Sequence, residues 1–209
     1  MKVAVLGSGG REHALVWKLS QSPRIKDLFC VPGNPGIAQL AKCVPLSLDD
    51  HQSLILWAKK EEISLTVVGP EDPLSNGIVD SFQAAGLKIY GPNQKAAQLE
   101  SSKTFAKQIM QLHGVPTAKS ASFTELGSAL RYVEENGAPI VIKADGLAAG
   151  KGVTVATSIG EAEVALRASL EKNRFGKAGS TVLIEEFLDG EEMTLLSFVS
   201  GPDHLTMVP

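Results

Sequence analysis

Short apolar runs, each closed at once by glycine or proline, recur along the first part of this chain and alternate with segments of helical periodicity. Residues 2–6 form such a run before Gly7-Ser8-Gly9-Gly10, and a helical pattern follows over 11–20. Residues 28–31 lead into Pro32-Gly33-Asn34-Pro35-Gly36, residues 65–68 into Gly69-Pro70-Glu71, and weaker runs lie at 43–46 and 87–90. Asp49 or Asp50 stands where the cap of a helix through Trp57 and Lys60 belongs, and 76–85 reads as a helix stopped by Gly86. A continuous apolar run of this length suits a strand buried on both faces, and strands joined through helices pair in parallel. The spacing therefore predicts an α/β unit: a parallel sheet with helices on both faces.

The rhythm changes near residue 100. Helices are expected over 102–113, 124–136 and 161–172, with Gly114 and Gly137 just past the ends of the first two. Extended segments are expected over 117–123, 139–144, 153–156, 181–184 and 193–199, the last before a Gly201-Pro202-Asp203 turn. This order predicts an α+β unit with an antiparallel sheet, and a domain boundary between Gly91 and Ser102. There is no internal repeat.

Composition removes several classes of function. With 44% hydrophobic residues in 209, a sizeable core can be buried. The net charge of −3 comes without a basic stripe that would neutralise a nucleic-acid backbone. No run reaches the roughly 18 apolar residues of a membrane-spanning helix. The opening apolar run is broken by Gly7 and has no basic segment before it, which reads against a signal peptide. Cys30 and Cys43 lack the spacing of a metal knuckle and are too few for a disulfide framework. They read as small buried thiols of a reducing, cytoplasmic compartment.

Several segments carry chemistry. Gly7-Ser8-Gly9-Gly10-Arg11-Glu12-His13 follows a strand and opens a helix, so its backbone N–H groups can approach an anion at the helix N-terminus. A tight turn with no ligand fits the same residues. A dinucleotide fingerprint needs a third glycine where Glu12 stands, and an acid near Pro32-Gly33, so both positions argue against NAD. The loops at 32–36 and 69–74 also leave the carboxyl ends of strands, the edge at which open α/β sheets bind ligands. Glu71 there is either a partner for a sugar hydroxyl or amine, or a solvated turn residue. Val141-Ile142-Lys143-Ala144-Asp145 puts a lysine on a strand, and the loop after it holds glycines and Lys151. Such a loop either folds over a triphosphate, offering N–H groups and a cation, or is a flexible surface hairpin. It is not a Walker loop, because no Ser or Thr follows its Gly-Lys to open a helix. Glu185-Glu186-Phe187-Leu188-Asp189-Gly190-Glu191-Glu192 follows a later strand, and its acids in isolation would be solvated.

Taken in order, Gly-Ser-Gly-Gly-Arg-Glu-His-Ala-Leu (7–15), Pro-Gly-Asn (32–34), Val-Gly-Pro-Glu (68–71), Lys-Ala-Asp-Gly-Leu-Ala-Ala-Gly-Lys-Gly (143–152) and Glu-Glu-Phe-Leu-Asp-Gly-Glu-Glu (185–192) resemble the phosphoribosylamine–glycine ligase family of the ATP-grasp superfamily. The resemblance is colinear over essentially the whole chain. It implies an N-terminal substrate-binding α/β domain over 1–100 and the first part of an ATP-grasp nucleotide-binding domain over 101–209. The implied reaction is ATP-dependent: glycine is phosphorylated to glycyl phosphate, and 5-phosphoribosylamine attacks to give glycinamide ribonucleotide in purine biosynthesis. The implied cofactors are ATP and magnesium (or manganese); the implied partners are glycine and 5-phosphoribosylamine. Carried onto this sequence, Lys103 and Lys143 contact phosphate, and Gly150 and Lys151 lie on the closing loop. Lys143 and Lys151 are the implied catalytic cations. Glu185, Glu186 and Leu188 contact adenine, the last through its backbone N–H, and Glu192 binds ribose. Gly9, Gly10 and Glu71 face phosphoribosylamine. No residue here is assigned to metal: the family's acid-and-asparagine metal site and Arg-Phe-Gly-Asp-Pro-Glu signature lie in a further lobe whose sequence is not among these 209 residues. The chain by itself is accordingly expected to be inactive.

Other readings share parts of this pattern. Another ATP-grasp carboxylate–amine ligase or carboxylase would show the same motif order but not Gly-Gly-Arg-Glu-His with Pro-Gly-Asn. A non-catalytic module that holds ATP or a sugar phosphate would also lack the metal lobe. The oligomeric state is not legible in the sequence.

Overall fold

A computed structural model describes residues 1–148, 151–172 and 174–208. The chain opens with β1 (Lys2–Gly7) and α1 (Gly10–Ser20), followed by β2 (Asp27–Pro32), β3 (Lys42–Cys43), α2 (His51–Lys60) and β4 (Leu65–Val68). Two short helices, α3 (Glu71–Ser75) and α4 (Ile78–Ala84), lead to β5 (Ile89–Tyr90). The five strands lie in the order β3-β2-β1-β4-β5, all parallel. Alternate residues serve opposite faces. Ala4, Leu6, Phe29, Val31 and Val68 pack under α2 and α4 through Leu54, Ala58, Ile78 and Phe82. Val3, Val5, Leu28 and Cys30 pack with Val16 of α1 and Ile37. Burial on both faces is the reason the strands read as unbroken apolar runs.

The local signals have physical counterparts. Asp50 is the cap of α2, its carboxylate accepting from the Ser53 N–H at 3.0 Å. The third strand is shorter than expected, ending at Cys43 on the sheet edge, so Cys30 is buried but Cys43 is exposed, unlike the expected pair of buried thiols. The segment after Gly69 is not a plain loop: α3 forms there, with Pro73 in its first turn, where a missing N–H costs nothing. Gly77, at φ +82°, separates it from α4.

Then come α5 (Gln94–Ser101) and α6 (Lys103–Leu112), capped by Asn93 and Ser102. They are followed by β6 (Ser120–Phe123), α7 (Leu126–Asn136), β7 (Ile140–Ala144), β8 (Val153–Ala156), α8 (Ile159–Leu166) with a π turn over Arg167–Glu171, and β9 (Val182–Glu186). The strands form a four-stranded antiparallel sheet in the order β6-β9-β7-β8. One face, carrying Ile140, Ile142, Ala156, Val182 and Ile184, packs on Ala129 and Val133 of α7 and Ala162 and Leu166 of α8. The alternate positions Val141, Lys143, Val155 and Glu185 line the opposite face. Finally β10 (Ser197–Ser200) and β11 (Asp203–Thr206) make a separate hairpin about the expected turn, exposed throughout. Among the described residues, no helix is long and apolar enough to cross a membrane.

Candidate functional site

Two clefts carry the singled-out residues. The first lies on the open face of the antiparallel sheet, where α6 approaches it. A cavity of about 430 Å³ is lined by Lys103, Lys107, Lys143, Glu100, Glu185 and Leu188, among others. A second, of about 590 Å³, shares Lys143, Glu185 and Leu188 and extends over Val141, Val155, Phe187 and Glu192. One end of this continuous cleft is thus rich in lysine and the other apolar with acids at its rim.

The lysine end is built from one helix and two strands. Lys103 and Lys107 are four residues apart and so project from one side of α6. Val141 is the register partner of Glu185, which makes Lys143 its diagonal neighbour on the same sheet face. The Glu185 carboxylate is buried and bridges two ammonium groups, Lys143 at 2.5 Å and Lys107 at 2.9 Å. Burial alone raises the Glu185 carboxyl, but hydrogen bonds and charge from Lys143 and Lys107 together hold it below the usual glutamate range. Burial lowers the Lys103 ammonium, against the opposing pull of Asp145 and Glu100. Its Nζ donates to the carbonyl of Gly146 at 3.1 Å.

Asp145, just past the end of β7, fastens these elements together. Its Oδ1 accepts from the Thr104 N–H at 2.6 Å, and the Ser102 hydroxyl donates to its carboxylate at 3.1 Å. Its carbonyl accepts from the Lys103 N–H at 3.2 Å. A carboxylate at the first turn of α6 satisfies free N–H groups and suits the positive end of the helix.

The second cleft lies at the carboxyl edge of the parallel sheet, where the strand order reverses between β1 and β4. A cavity of about 420 Å³ there is lined by Gly7, Gly9, Arg11, Glu12, Asp49 and Pro70, among others. Glu12 is buried; its Oε2 accepts from the Gly9 N–H at 2.6 Å, and its Oε1 has no hydrogen-bond partner among the described residues. The side chain lies along the backbone of Gly7 and Gly69: a Cβ on Gly7 would stand 2.5 Å from Glu12 Cγ, and one on Gly69 would overlap the carboxylate. The position at which a dinucleotide fold keeps a glycine for close helix–strand packing is filled here by the Glu12 side chain, lying in the slot left by Gly7 and Gly69. At the rim, Arg11 pairs with Glu71 at 2.7 Å. The Glu71 backbone N–H, more than the Arg11 charge, holds that carboxyl below its usual range despite partial burial. Asn34 ties the second loop to the first, donating to the Ser8 carbonyl at 2.8 Å.

The residues expected from sequence divide accordingly. Lys103, Lys143, Glu185 and Leu188 line the lysine end, while Glu186 and Glu192 lie on the extension. The Glu186 carboxylate also accepts from the Lys119 N–H at 2.8 Å. Lys151 is not brought to either cavity; it lines a separate one of about 440 Å³ with Ile142, Val164 and Phe175. Gly150 lies outside the described residues, so the expected closing loop is described only in part. Gly9 lines the parallel-sheet cavity, Glu71 stands at its rim in the pair with Arg11, and Gly10 opens α1 beside it. Sequence reasoning passed over Lys107 and Asp145. The spacing of Lys107 from Lys103 was a usable signal; nothing local marks Asp145 as a cap for a helix some forty residues earlier.

Residues 1–100 match the family model described as phosphoribosylglycinamide synthetase, N domain, and residues 101–209 match phosphoribosylglycinamide synthetase, ATP-grasp (A) domain. A phosphoribosylamine–glycine ligase of Xanthomonas campestris pv. campestris is 57% identical over 209 residues, covering 99% of this chain and 48% of that protein. The chain spans about half the length of the curated relatives it matches. A crystal structure of phosphoribosylamine–glycine ligase from Thermotoga maritima superposes with a TM-score of 0.75 at 29% identity, over 99% of this chain and 49% of that one. The fold alone is shared with a carboxyaminoimidazole ribonucleotide synthase of Aspergillus clavatus complexed with ATP, at a TM-score of 0.74 and 18% identity, over 98% of this chain and 52% of that one. On its sequence over both matched stretches, the chain belongs to the phosphoribosylglycinamide synthetase family.

Proposed function

We propose that this chain supplies the nucleotide cleft and the amine-substrate cleft of a ligase that joins glycine to 5-phosphoribosylamine at the expense of ATP, giving glycinamide ribonucleotide, ADP and phosphate. In this reading residues 1–100 hold phosphoribosylamine and 101–209 hold ATP. The observation that carries it is the cleft in which Lys103 and Lys143 face an apolar extension ending in Glu192. That arrangement fits a triphosphate at one end, a base against Val141 and Val155, and a ribose at the acid. The chemistry asks for it: glycine carboxylate must approach an anionic triphosphate, and fixed cations offset the repulsion. Lys151, which lines a separate cavity, joins them only when its loop moves over the cleft. Gly9, Gly10 and Glu71 border the sugar phosphate, whose phosphate meets the first-turn N–H groups of α1 while the Gly9 N–H stays with Glu12.

Magnesium or manganese, when bound, would supply further charge neutralisation for phosphoryl transfer. Among the described residues no group of three or more His, Cys, Asp or Glu is arranged to hold a metal, and no step is assigned to one. The reading puts the reaction in the cytoplasm, where Cys30 and Cys43, register partners on neighbouring strands, remain free thiols. The test is ADP release by the protein at the full length of its relatives. It is expected to depend on both glycine and freshly generated phosphoribosylamine. ADP release indifferent to either substrate would overturn the assignment.

A further inference from the structure

Lys107 and Lys143 share one buried carboxylate, yet they stand differently toward the cleft. The Lys107 side chain is 10% exposed. Its ammonium donates to Thr117 Oγ1 at 2.7 Å, to the Ala118 carbonyl at 2.8 Å and to Glu185 Oε1 at 2.9 Å. A lysine has three donors, so Lys107 has none left for a ligand. The Lys143 side chain is 29% exposed and lines both parts of the cleft, and Glu185 Oε2 is its partner. Among the described residues its ammonium has no second partner, and the side chain borders the space a polyphosphate would take.

A lysine that is to hold phosphate must first give up whatever holds it. If Lys143 were the sole partner of Glu185, its departure would strand a buried carboxylate, which is costly. The ion pair would then compete with the ligand. Lys107 removes that competition, because Glu185 keeps one charge-assisted hydrogen bond whichever way Lys143 turns. We propose that Lys107 is a positioning residue: by holding one oxygen of Glu185 it frees Lys143 to exchange the other oxygen for a bound polyphosphate. This rests on reading the cleft as a nucleotide site.

The experiment measures affinities for ATP and for adenosine in the protein at the full length of its relatives. Lys107→Met is expected to weaken ATP roughly tenfold, about the worth of one charge-assisted hydrogen bond, and to leave adenosine unchanged. Lys107→Arg should retain most of the affinity. The decisive variant is Lys107→Met with Glu185→Gln, which removes the competing charge and should recover ATP affinity above the single variant. A purely structural role predicts the double variant to be weaker still, and that result would overturn the proposal. Should Lys107→Met fail to fold, the side-chain ammonium resonances of the unaltered protein decide. On ATP addition Lys143 is expected to shift and Lys107 to stay, and the reverse pattern overturns the exchange. ATP binding without ligase activity would sink the proposed reaction but not this exchange, whereas an unaltered protein that does not bind ATP removes both.

Discussion

The parallel sheet offers a ligand its edge, whereas the antiparallel sheet offers a face. At the edge, β1, β2 and β4 deliver backbone turns to one place, and the cleft is built around glycines and one buried side chain, Glu12, with Arg11, Asp49 and Asp72 also lining it. On the face, alternate residues of β7 and β9 deliver side chains, and the site consists of the charges of Lys143 and Glu185 with Lys103 and Lys107 opposite. The first construction is vulnerable to added atoms and the second to lost charges.

Gly7→Ala is the severest test of the edge. It adds a Cβ against Glu12 at a φ of +127°, and backbone strain plus overlap should cost about 2–4 kcal/mol of stability. Gly69→Ala meets the same Glu12 side chain but without a positive φ, so it adds no backbone strain and should be milder, and Glu12→Ala should partly rescue it. Denaturant midpoints of the two singles and the double decide this. If Gly69→Ala costs the same with and without the Glu12 side chain, that carboxylate does not fill the slot.

Lys143→Ala probes the face. The fold should survive, and ATP use should weaken by the roughly 1.5–3 kcal/mol of a charge-assisted contact, about one to two powers of ten, with glycine dependence unchanged. Kinetics unaltered at limiting ATP would retire Lys143 as a phosphate contact.

The smallest expected effect is on the pH dependence of stability. The Glu185 carboxyl is lowered in the folded protein, so it binds its proton less readily there than in the unfolded chain. Its contribution is therefore present above the ordinary glutamate value near 4.3 and lost as pH falls through the lowered value. Glu185→Gln should be less stable at neutral pH, where two lysines lose a partner, and should lose less on acidification. Parallel pH profiles of the unfolding midpoint in the two proteins would contradict the ion-pair account.

The same contrast governs what could be read from the sequence. The parallel strands were legible because each is a contiguous apolar run closed by glycine or proline, and their turns fall at one edge without further information. Helix α3 was hidden by its prolines, which suggest a turn although Pro73 sits in the first helical turn. Helix α5 was hidden by its shallow burial: Ala97 is its buried residue, which leaves little apolar period. On the antiparallel side the strands were found, but the charge arrangement depends on register. That Lys143 lies diagonal to Glu185 follows from Val141 pairing with Glu185, a relation across more than forty residues of chain. Lys107 completes the pair only because α6 crosses the open face, which no local pattern announces.

The contact of Asp145 with the start of α6 has a mechanical meaning. It pins a strand end to a helix end, so the backbones bearing Lys103, Lys107 and Lys143 form a single lever arm. A displacement of that strand end is shared by the helix start, so the three backbones keep their mutual spacing while the lysine side chains remain free to turn.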